Sequence, residues 1–388
     1  MTDVGSVDLS VIIVNYNVSD LVLQAVESVS AQRFAGSDGR NGRFEIVVID
    51  NASRDADAAM LERLPPSVAV IRNRTNLGFA AANNQGIERA RGRYVFLLNP
   101  DTRLLDGSVE ALRRCLDRHP GAGMVGPRIW ADDERTLQLP PGDPPSLSFL
   151  IGRALGEAVP WIRRWRTRRW LQEAIRFWRA EVPMTVTMLS GACLMVDRET
   201  LRRVGGFDPG FFLYYEDADL CRRIRRQGLR LVVAPAAEVV HYYNQSAQAD
   251  PHGAWSHAMV SERRFVRVHY GPLGAAMHRA ALALGRRAAH RSEAADRIGV
   301  IDLGAVMQPP RFELPVGSAS EQARLWQISP DRWGVPSAGA FVPGSAFALS
   351  RAVWDRLMPG RYYVRAVDPD TCRALGCWSW IKPSPSES

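Results

Sequence analysis

The sequence predicts an α/β fold: a Rossmann-like, mostly parallel sheet flanked by helices, then a basic helical segment and a small β-rich C-terminal domain. Three observations carry this expectation. Short β-branched apolar runs alternate with helical segments along the N-terminal part of the chain, and polar clusters close the main runs. After Asp296 the character changes to short alternating runs between Gly and Pro turns.

Residues 9–14 are β-branched and nearly continuous, the pattern of a strand buried on both faces of a parallel sheet. The run ends at Asn15-Tyr16-Asn17, and a helix is predicted from Ser19, as its N-cap, to Gln32. Residues 44–49 repeat the strand pattern and stop at Asp50-Asn51-Ala52-Ser53, with a helical segment running on to Leu64. Residues 68–72 read as a third strand, 83–91 as a helix, and 94–98 as a fourth strand ending at Asn99-Pro100-Asp101. Sheets of this kind bind ligands beyond the carboxyl ends of their strands, and the clusters at Asn15, Asp50 and Asn99 to Asp101 all fall there.

Further on, 132–145 is Pro-rich and polar, 147–180 helical and dense in Arg and Trp, 184–196 a strand, and 209–215 an aromatic loop. A helix over 219–227 closes at Gly228, and 229–234 is a strand. Residues 250–297 read as helical and basic, and 311–315, 323–328, 340–349 and 362–367 as short strands. The expected organisation is a first domain over 1–249 carrying an insertion at 147–180, a helical segment over 250–297, and an accessory β-rich domain over 298–388.

With 46% hydrophobic and 23% charged residues in 388, the chain is neither disordered nor fibrous. Its net charge is +8, and Lys382 is the single lysine, so the positive charge is almost wholly guanidinium, a group whose planar fork suits oxyanions. Cys115, Cys193 and Cys221 stand alone in apolar or helical patterns and read as buried thiols of a reducing compartment; the spacing of Cys372 and Cys377 allows a pair across a tight loop, but nothing else suggests export and an unpaired state is the expectation. Residues 1–8 lack the apolar core of a signal peptide, and no run approaches about 18 apolar residues. A soluble or peripheral protein is expected.

Asp101 closes a buried apolar strand, so its carboxylate either caps a turn or holds a divalent cation against a diphosphate. Asp50 admits the same two readings, and two acidic strand ends in one sheet favour a site. Residues 214–219 put Glu216, Asp217 and Asp219 into the first turn of a helix that ends in Arg222, Arg223, Arg225 and Arg226. That arrangement suits the helix dipole. It also supplies a carboxylate beside aromatics, as a general base for a hydroxyl nucleophile requires.

The motifs Val11-Ile-Ile-Val-Asn-Tyr-Asn17, Val48-Ile-Asp-Asn-Ala-Ser53, Asn76-Leu-Gly-Phe-Ala-Ala-Ala-Asn-Asn84, Leu98-Asn-Pro-Asp-Thr102, Ser190-Gly-Ala192, Gly205-Gly-Phe-Asp208 and Tyr215-Glu-Asp-Ala-Asp-Leu220 follow the order found in family 2 glycosyltransferases. Residues 9–246 resemble that family, and the resemblance implies its GT-A fold. The Asn-Pro-Asp, Asn-Leu-Gly-Phe-Ala and Glu-Asp-Ala-Asp forms most resemble bacterial rhamnosyltransferases.

The resemblance implies that Asp50 contacts the base or ribose of a nucleotide sugar, with Asn15 and Asn17 in the same pocket and Asn76, Asn84 and Asn99 also on the donor side. It implies Asp101 as the carboxylate for Mg²⁺ or Mn²⁺ and the diphosphate, Asp217 as general base, and Gly191, Glu216 and Asp219 on the acceptor side. Asn99 departs from the family's usual Asp-x-Asp and leaves fewer anionic ligands. His241 matches a position where some members supply a further metal ligand; a structural histidine is the other reading.

The activity so implied is metal-dependent, inverting transfer of a sugar, first L-rhamnose from dTDP-rhamnose, to a hydroxyl of a glycan or polyprenyl-diphosphate-linked acceptor in cell-surface polysaccharide synthesis. A UDP- or GDP-hexose donor is one alternative, and a non-catalytic nucleotide-sugar or glycan-binding protein is another. The expected location is the cytoplasm, with peripheral contact on the inner face of the plasma membrane. Trp161, Trp165, Trp170 and Trp178, interleaved with Arg163, Arg164, Arg166, Arg168 and Arg169, read as a solvated helix face or as an interfacial segment near anionic lipid. A nucleic-acid partner is not expected, because the strand-end acids would repel phosphate backbones. Trp326, Trp333, Trp354, Trp378 and Trp380 form either the core of the C-terminal domain or a carbohydrate-binding surface.

Overall fold

The computed structural model describes residues 7–36, 39–140, 142, 145–156, 158–242, 251–292, 299–315 and 323–384. The chain forms two compact units whose borders do not follow chain order: Met1–Ile129 with Ala180–His269, and Trp130–Arg179 with Tyr270–Ser388.

The first unit opens with β1 (Leu9–Asn15), α1 (Ser19–Ser30), β2 (Phe44–Asp50), α2 (Asp55–Met60) and a 3-10 turn (Leu61–Arg63). It continues through β3 (Val68–Arg72), α3 (Phe79–Arg89), β4 (Tyr94–Leu98), β5 (Thr102–Leu104), α4 (Ser108–Arg118) and β6 (Ala122–Trp130). After α5 (Leu147–Gly156) and α6 (Pro160–Trp178) of the second unit, it resumes with β7 (Met184–Val186), β8 (Cys193–Asp197), α7 (Arg198–Val204), α8 (Glu216–Arg226) and β9 (Arg230–His241). Helix α9 (Pro251–Ser292) breaks at Gly271, with φ 66° and ψ −170°, and Pro272 follows the break.

The main sheet has the order β3-β2-β1-β4-β8-β6-β9-β5, with β7 also on β9. Strands β3, β2, β1 and β4 run parallel. Beyond β4 the pairing turns antiparallel, β8 on β4 and β6 on β8, with β5 and β7 both on β9. Every residue of β1 and β4 is buried, which accounts for their unbroken apolar character. Register places Asn15 opposite Asp50 and Ile13 opposite Leu98, so the polar residues that end these strands share one edge. On α1, Val22, Ala25, Val26 and Val29 make the buried stripe.

Several expected boundaries shift, for local reasons. Ser19 is the first helical residue and not the N-cap; Val18 stands at the cap, its N–H donating to Asn15 Oδ1 at 3.3 Å. The strand read over 184–196 divides into β7 and β8, because Ser190 to Ala192 form a loop that serves the site described below. Strand β9 extends beyond the expected 229–234 as far as His241.

The second unit holds β10 (Ile301–Ala305), β11 (Arg311–Glu313), β12 (Arg324–Ser329), β13 (Ala338–Val342), β14 (Ala346–Ala348), α10 (Arg351–Arg356), β15 (Gly360–Asp368) and β16 (Arg373–Lys382). Its sheet has the order β10-β16-β15-β12-β13, with β11 and β14 paired separately. Trp326, Trp354, Trp378 and Trp380 pack with Phe312 and Phe347 as its core, so these indoles serve packing. Trp170 and Trp178 of α6 are buried against Leu325, Val335 and Val367. The same helix buries Arg163 and Arg166 and leaves Trp161 70% and Trp165 59% exposed. All five cysteines are free. Among the described residues no helix is long and apolar enough to cross a membrane.

Trp178 seats against Gly339, where an added Cβ would lie 2.7 Å from the indole, and its Nε1 donates to Leu139 O at 3.0 Å. Trp178→Ala is expected to cost about 3–5 kcal/mol. Urea unfolding followed by tryptophan fluorescence reads the loss, and an unchanged midpoint would show that α6 contributes little to the second unit's core.

Candidate active site

Three polar clusters meet at the carboxyl edge of the sheet. The first joins Asn15, Asn17 and Asp50. Asn15 is fully buried, and its Nδ2 lies 2.9 Å from Ser19 Oγ, 3.2 Å from Asp50 Oδ1 and 3.0 Å from Ser53 Oγ. Ser53 N also donates to Asp50 Oδ1 at 3.3 Å. Asn17, in the left-handed region at φ 57°, donates its N–H to Ser53 Oγ and accepts from Arg54 N at 2.8 Å. Two loops are thereby tied to one carboxylate.

Asn76 extends this first cluster through Asn51, the chain neighbour of Asp50, which the sequence did not single out as a site residue. Asn51 Nδ2 donates to Asn76 Oδ1 at 2.8 Å, and its Oδ1 accepts from Asn73 Nδ2 and from Leu77 N, each at 3.0 Å. Gly78, at φ 84°, must be glycine here: a Cβ would lie 2.6 Å from the carbonyl oxygen of Phe212, which accepts from Phe79 N. Asn84 does different work. Its amide exchanges two 2.9 Å hydrogen bonds with the Phe207 backbone and so fixes the Gly205-Gly206 turn.

The second cluster contains Asn99, Asp101 and His241. Thr102 pairs with His241 across β5 and β9, and the buried His241 Nε2 lies 3.1 Å from Oδ1 of the buried Asp101. Asn99 Oδ1 is buried and has no hydrogen-bond partner among the described residues. No group of three His, Cys, Asp or Glu side chains that could hold a metal occurs among the described residues. A carboxylate, an imidazole nitrogen and an unsatisfied amide oxygen nevertheless fit a Mg²⁺ or Mn²⁺ that takes its remaining ligands from phosphates and water.

The Ser190 to Ala192 loop links this cluster to the third. Ala192 O accepts from Asn99 N at 2.8 Å, and Gly191 N donates to Asp217 Oδ2 at 2.9 Å. Asp217 Oδ1 also accepts from Ala218 N at 2.7 Å. Burial raises the Asp217 pKa above the usual carboxylate range, against these backbone hydrogen bonds. Glu216 is buried, its Oε2 has no hydrogen-bond partner, and burial together with the Asp217 charge pushes its pKa well up. Asp219 is the opposite case. Its Oδ2 pairs with Arg223 at 2.7 Å and its Oδ1 lies 2.8 Å from His269 Nε2. Although burial opposes ionisation, these two partners hold its pKa below the ordinary value.

The structure thus brings Asp101 to His241, and Gly191 to Asp217, while Asp219 is committed to an ion pair. It adds Glu262, which accepts from Tyr215 OH at 2.5 Å, and His269, both on α9. Their spacing of two helical turns was the available signal, since it puts both on one face. Tyr214 and Tyr215 precede α8 at φ 67° and 68°. Two successive non-glycine residues in the left-handed region mark a strained turn that aims the acids of α8.

Asp219→Ala leaves Arg223 and the buried His269 without their shared carboxylate and is expected to cost about 3–5 kcal/mol. Because the folded pKa of Asp219 is depressed, its contribution is complete above the unfolded aspartate value of about 3.9 and is lost as pH falls through the lower folded value. Chemical denaturation of wild type and variant across this range should show the stability difference narrowing in acid. A constant difference would show that Asp219 acts by packing alone.

Residues 10–204 match the family profile described as "Glycosyl transferase family 2", and residues 174–246 match "N-terminal domain of galactosyltransferase". An N-acetylglucosaminyl-diphospho-decaprenol L-rhamnosyltransferase of Mycobacterium tuberculosis is 31% identical over 217 residues, covering 53% of this chain and 69% of that protein. Rhamnosyltransferase WbbL of Escherichia coli K12 is 42% identical over 57 residues, 15% of this chain and 22% of its own. Among solved structures, mannosyltransferase PcManGT from Pyrobaculum calidifontis, in complex with GDP-Man and Mn²⁺, aligns over 76% of this chain and 77% of its own, with 17% identity and a TM-score of 0.47. On the match of its own N-terminal half, joined by a relative above 30% identity, the chain belongs to glycosyl transferase family 2.

Proposed function

We propose that this protein is a metal-dependent, inverting glycosyltransferase in which Asp217 is the general base. The observation that carries the reading is the Asp217 carboxylate: half-buried, free of any cationic partner among the described residues, and oriented by two backbone N–H groups. A base for a sugar hydroxyl needs a fixed carboxylate whose basicity is not spent on an ion pair. In the same turn Asp219 is engaged by Arg223 and His269, and burial together with the Asp217 charge pushes the Glu216 pKa well up. Asp217 is the remaining candidate.

In this mechanism Asp50, Asn15 and Asn17 seat the nucleoside, and Asp101 and His241, with Asn99 beside them, would hold a divalent cation. Bound there, such a cation would supply charge neutralisation for the leaving phosphate. Asp217 takes the proton of the acceptor hydroxyl as that oxygen attacks the anomeric carbon from the face opposite the departing diphosphate. One displacement inverts configuration, the geometric logic that separates inverting from retaining glycosidases. The two relatives named as rhamnosyltransferases support rhamnose as the sugar transferred, for which dTDP-rhamnose is the proposed donor, and the decaprenol-linked acceptor in the name of the first supports a lipid-linked acceptor. The exposed Trp161 and Trp165 support contact with a membrane surface.

Nucleoside diphosphate release from a panel of dTDP-, UDP- and GDP-sugars tests the enzyme and its donor together. Turnover is expected with dTDP-rhamnose, lost in EDTA and restored by Mg²⁺ or Mn²⁺. Release with no donor under any metal condition would sink the proposal, and turnover with a UDP- or GDP-hexose alone would reassign the donor. Asp217→Asn should lower kcat by about 10²-fold or more with donor affinity little changed. Since burial raises the pKa of this base, the acid limb of kcat/KM should lie above the ordinary aspartate value of about 3.9. An Asp217→Asn variant with wild-type activity would move the base elsewhere.

A further inference from the structure

The second unit contains a cavity of about 620 Å³, walled by α6, by β12 and β15, and by the turn into β16. Five arginines line it, Arg163, Arg164, Arg168, Arg365 and Arg373, and no aspartate or glutamate does. Arg365 is only 9% exposed. Its guanidinium is gripped by neutral groups: Nη1 donates to Trp333 O at 2.6 Å and Nη2 to Arg332 O at 2.7 Å. Its Nε is buried without a hydrogen-bond partner among the described residues, as is Thr167 Oγ1 on the facing helix.

The acids nearest Arg365 and Arg373 in sequence are engaged elsewhere, Asp368 with Arg324 at 3.6 Å and Asp370 with Arg179 at 3.3 Å. Arg168 and Arg373 are exposed and form no ion pair among the described residues. The guanidinium of Arg163 lies 3.8 Å over the Trp333 ring, which fixes its plane. The two carbonyl groups orient the Arg365 guanidinium without cancelling its charge. A buried cation left uncompensated is costly, and like charges in a concave, low-dielectric wall focus a positive field. Such a wall suits a polyvalent oxyanion, which several planar forks bind at once.

We propose that this cavity is a second ligand site, independent of the transfer reaction assigned to the first unit, that takes a phosphate or diphosphate group. All of its lining residues belong to the second unit. The phosphate comes either from a soluble phosphate ester or from a lipid headgroup.

Calorimetric titration with inorganic pyrophosphate tests the site, in EDTA and in an Asp101→Ala background so that the transfer site does not contribute. One saturable event is expected, weakened at least tenfold by Arg168→Ala/Arg373→Ala. The control pair Arg89→Ala/Arg226→Ala removes the same charge from exposed positions of the first unit and should leave binding unchanged. Absence of saturable binding, or equal weakening by both pairs, would overturn the proposal. Phosphatidylglycerol vesicles then separate the sources. Vesicle binding that pyrophosphate displaces and Arg168→Ala/Arg373→Ala abolishes assigns a headgroup, and vesicle binding indifferent to both assigns a soluble ester.

Discussion

The parallel pairing of β1 with β2 and with β4 is the constraint on which the rest of the site depends. Strands buried on both faces cannot carry polar side chains along their length, so polarity gathers where they stop. In-register pairing then makes those stops coincide, Asn15 beside Asp50 and Asn99 one residue past a strand paired with β1. A buried carboxylate at such an edge needs donors. Asp50 finds them in the Asn15 amide and the Ser53 N–H. The same hydrogen bonds set Asn17 and Ala52 in left-handed conformations, strain stored where a ligand is to be met.

Five carboxylates stand at this edge, and their environments divide the labour among them. Asp50 is held by an amide and a backbone N–H, Asp101 by an imidazole, and Asp219 by a guanidinium and an imidazole. Glu216 has one oxygen with no hydrogen-bond partner among the described residues, and burial pushes its pKa well up. Asp217 keeps two backbone donors and no cationic partner among the described residues, the arrangement on which its proposed role as base rests. Adjacent titratable groups pushed toward different protonation states are the usual means of assigning acid and base roles within one site.

Much of the first unit was legible in the sequence because its signals are local. Strands β1 to β4 announce themselves as apolar runs closed by polar clusters, and the order of motifs led from there to the family. What could not be read depends on contacts distant in sequence. Strand β6 contains Gly126 and Pro127, which interrupt the apolar run that would mark it. The split between β7 and β8 follows from Gly191 reaching Asp217 and Ala192 reaching Asn99, neither of which shows in the run from Met184 to Val196. Asn51 was passed over as a turn residue because nothing local distinguishes an Asx turn from a hub joining Asn73, Asn76 and Leu77. In α6 the Arg and Trp residues gave no periodic stripe, since the helix buries some of each kind and exposes others.

The break in α9 bears on how the two units share one chain. Glu262 and His269, the residues of α9 that reach Tyr215 and Asp219, both precede Gly271, and the residues after it belong to the second unit. Gly271 can take a positive φ without strain, and Pro272 cannot donate the backbone hydrogen bond that would carry the helix across. The partners that orient the acids of α8 therefore lie within the first unit: Gly191 and Ala218 for Asp217, Arg223 and His269 for Asp219. The second unit gathers its arginines around a cavity of its own, and the first gathers its carboxylates at the sheet edge. Division of charge between the two units, more than the order of the chain, is what gives each a distinct chemistry.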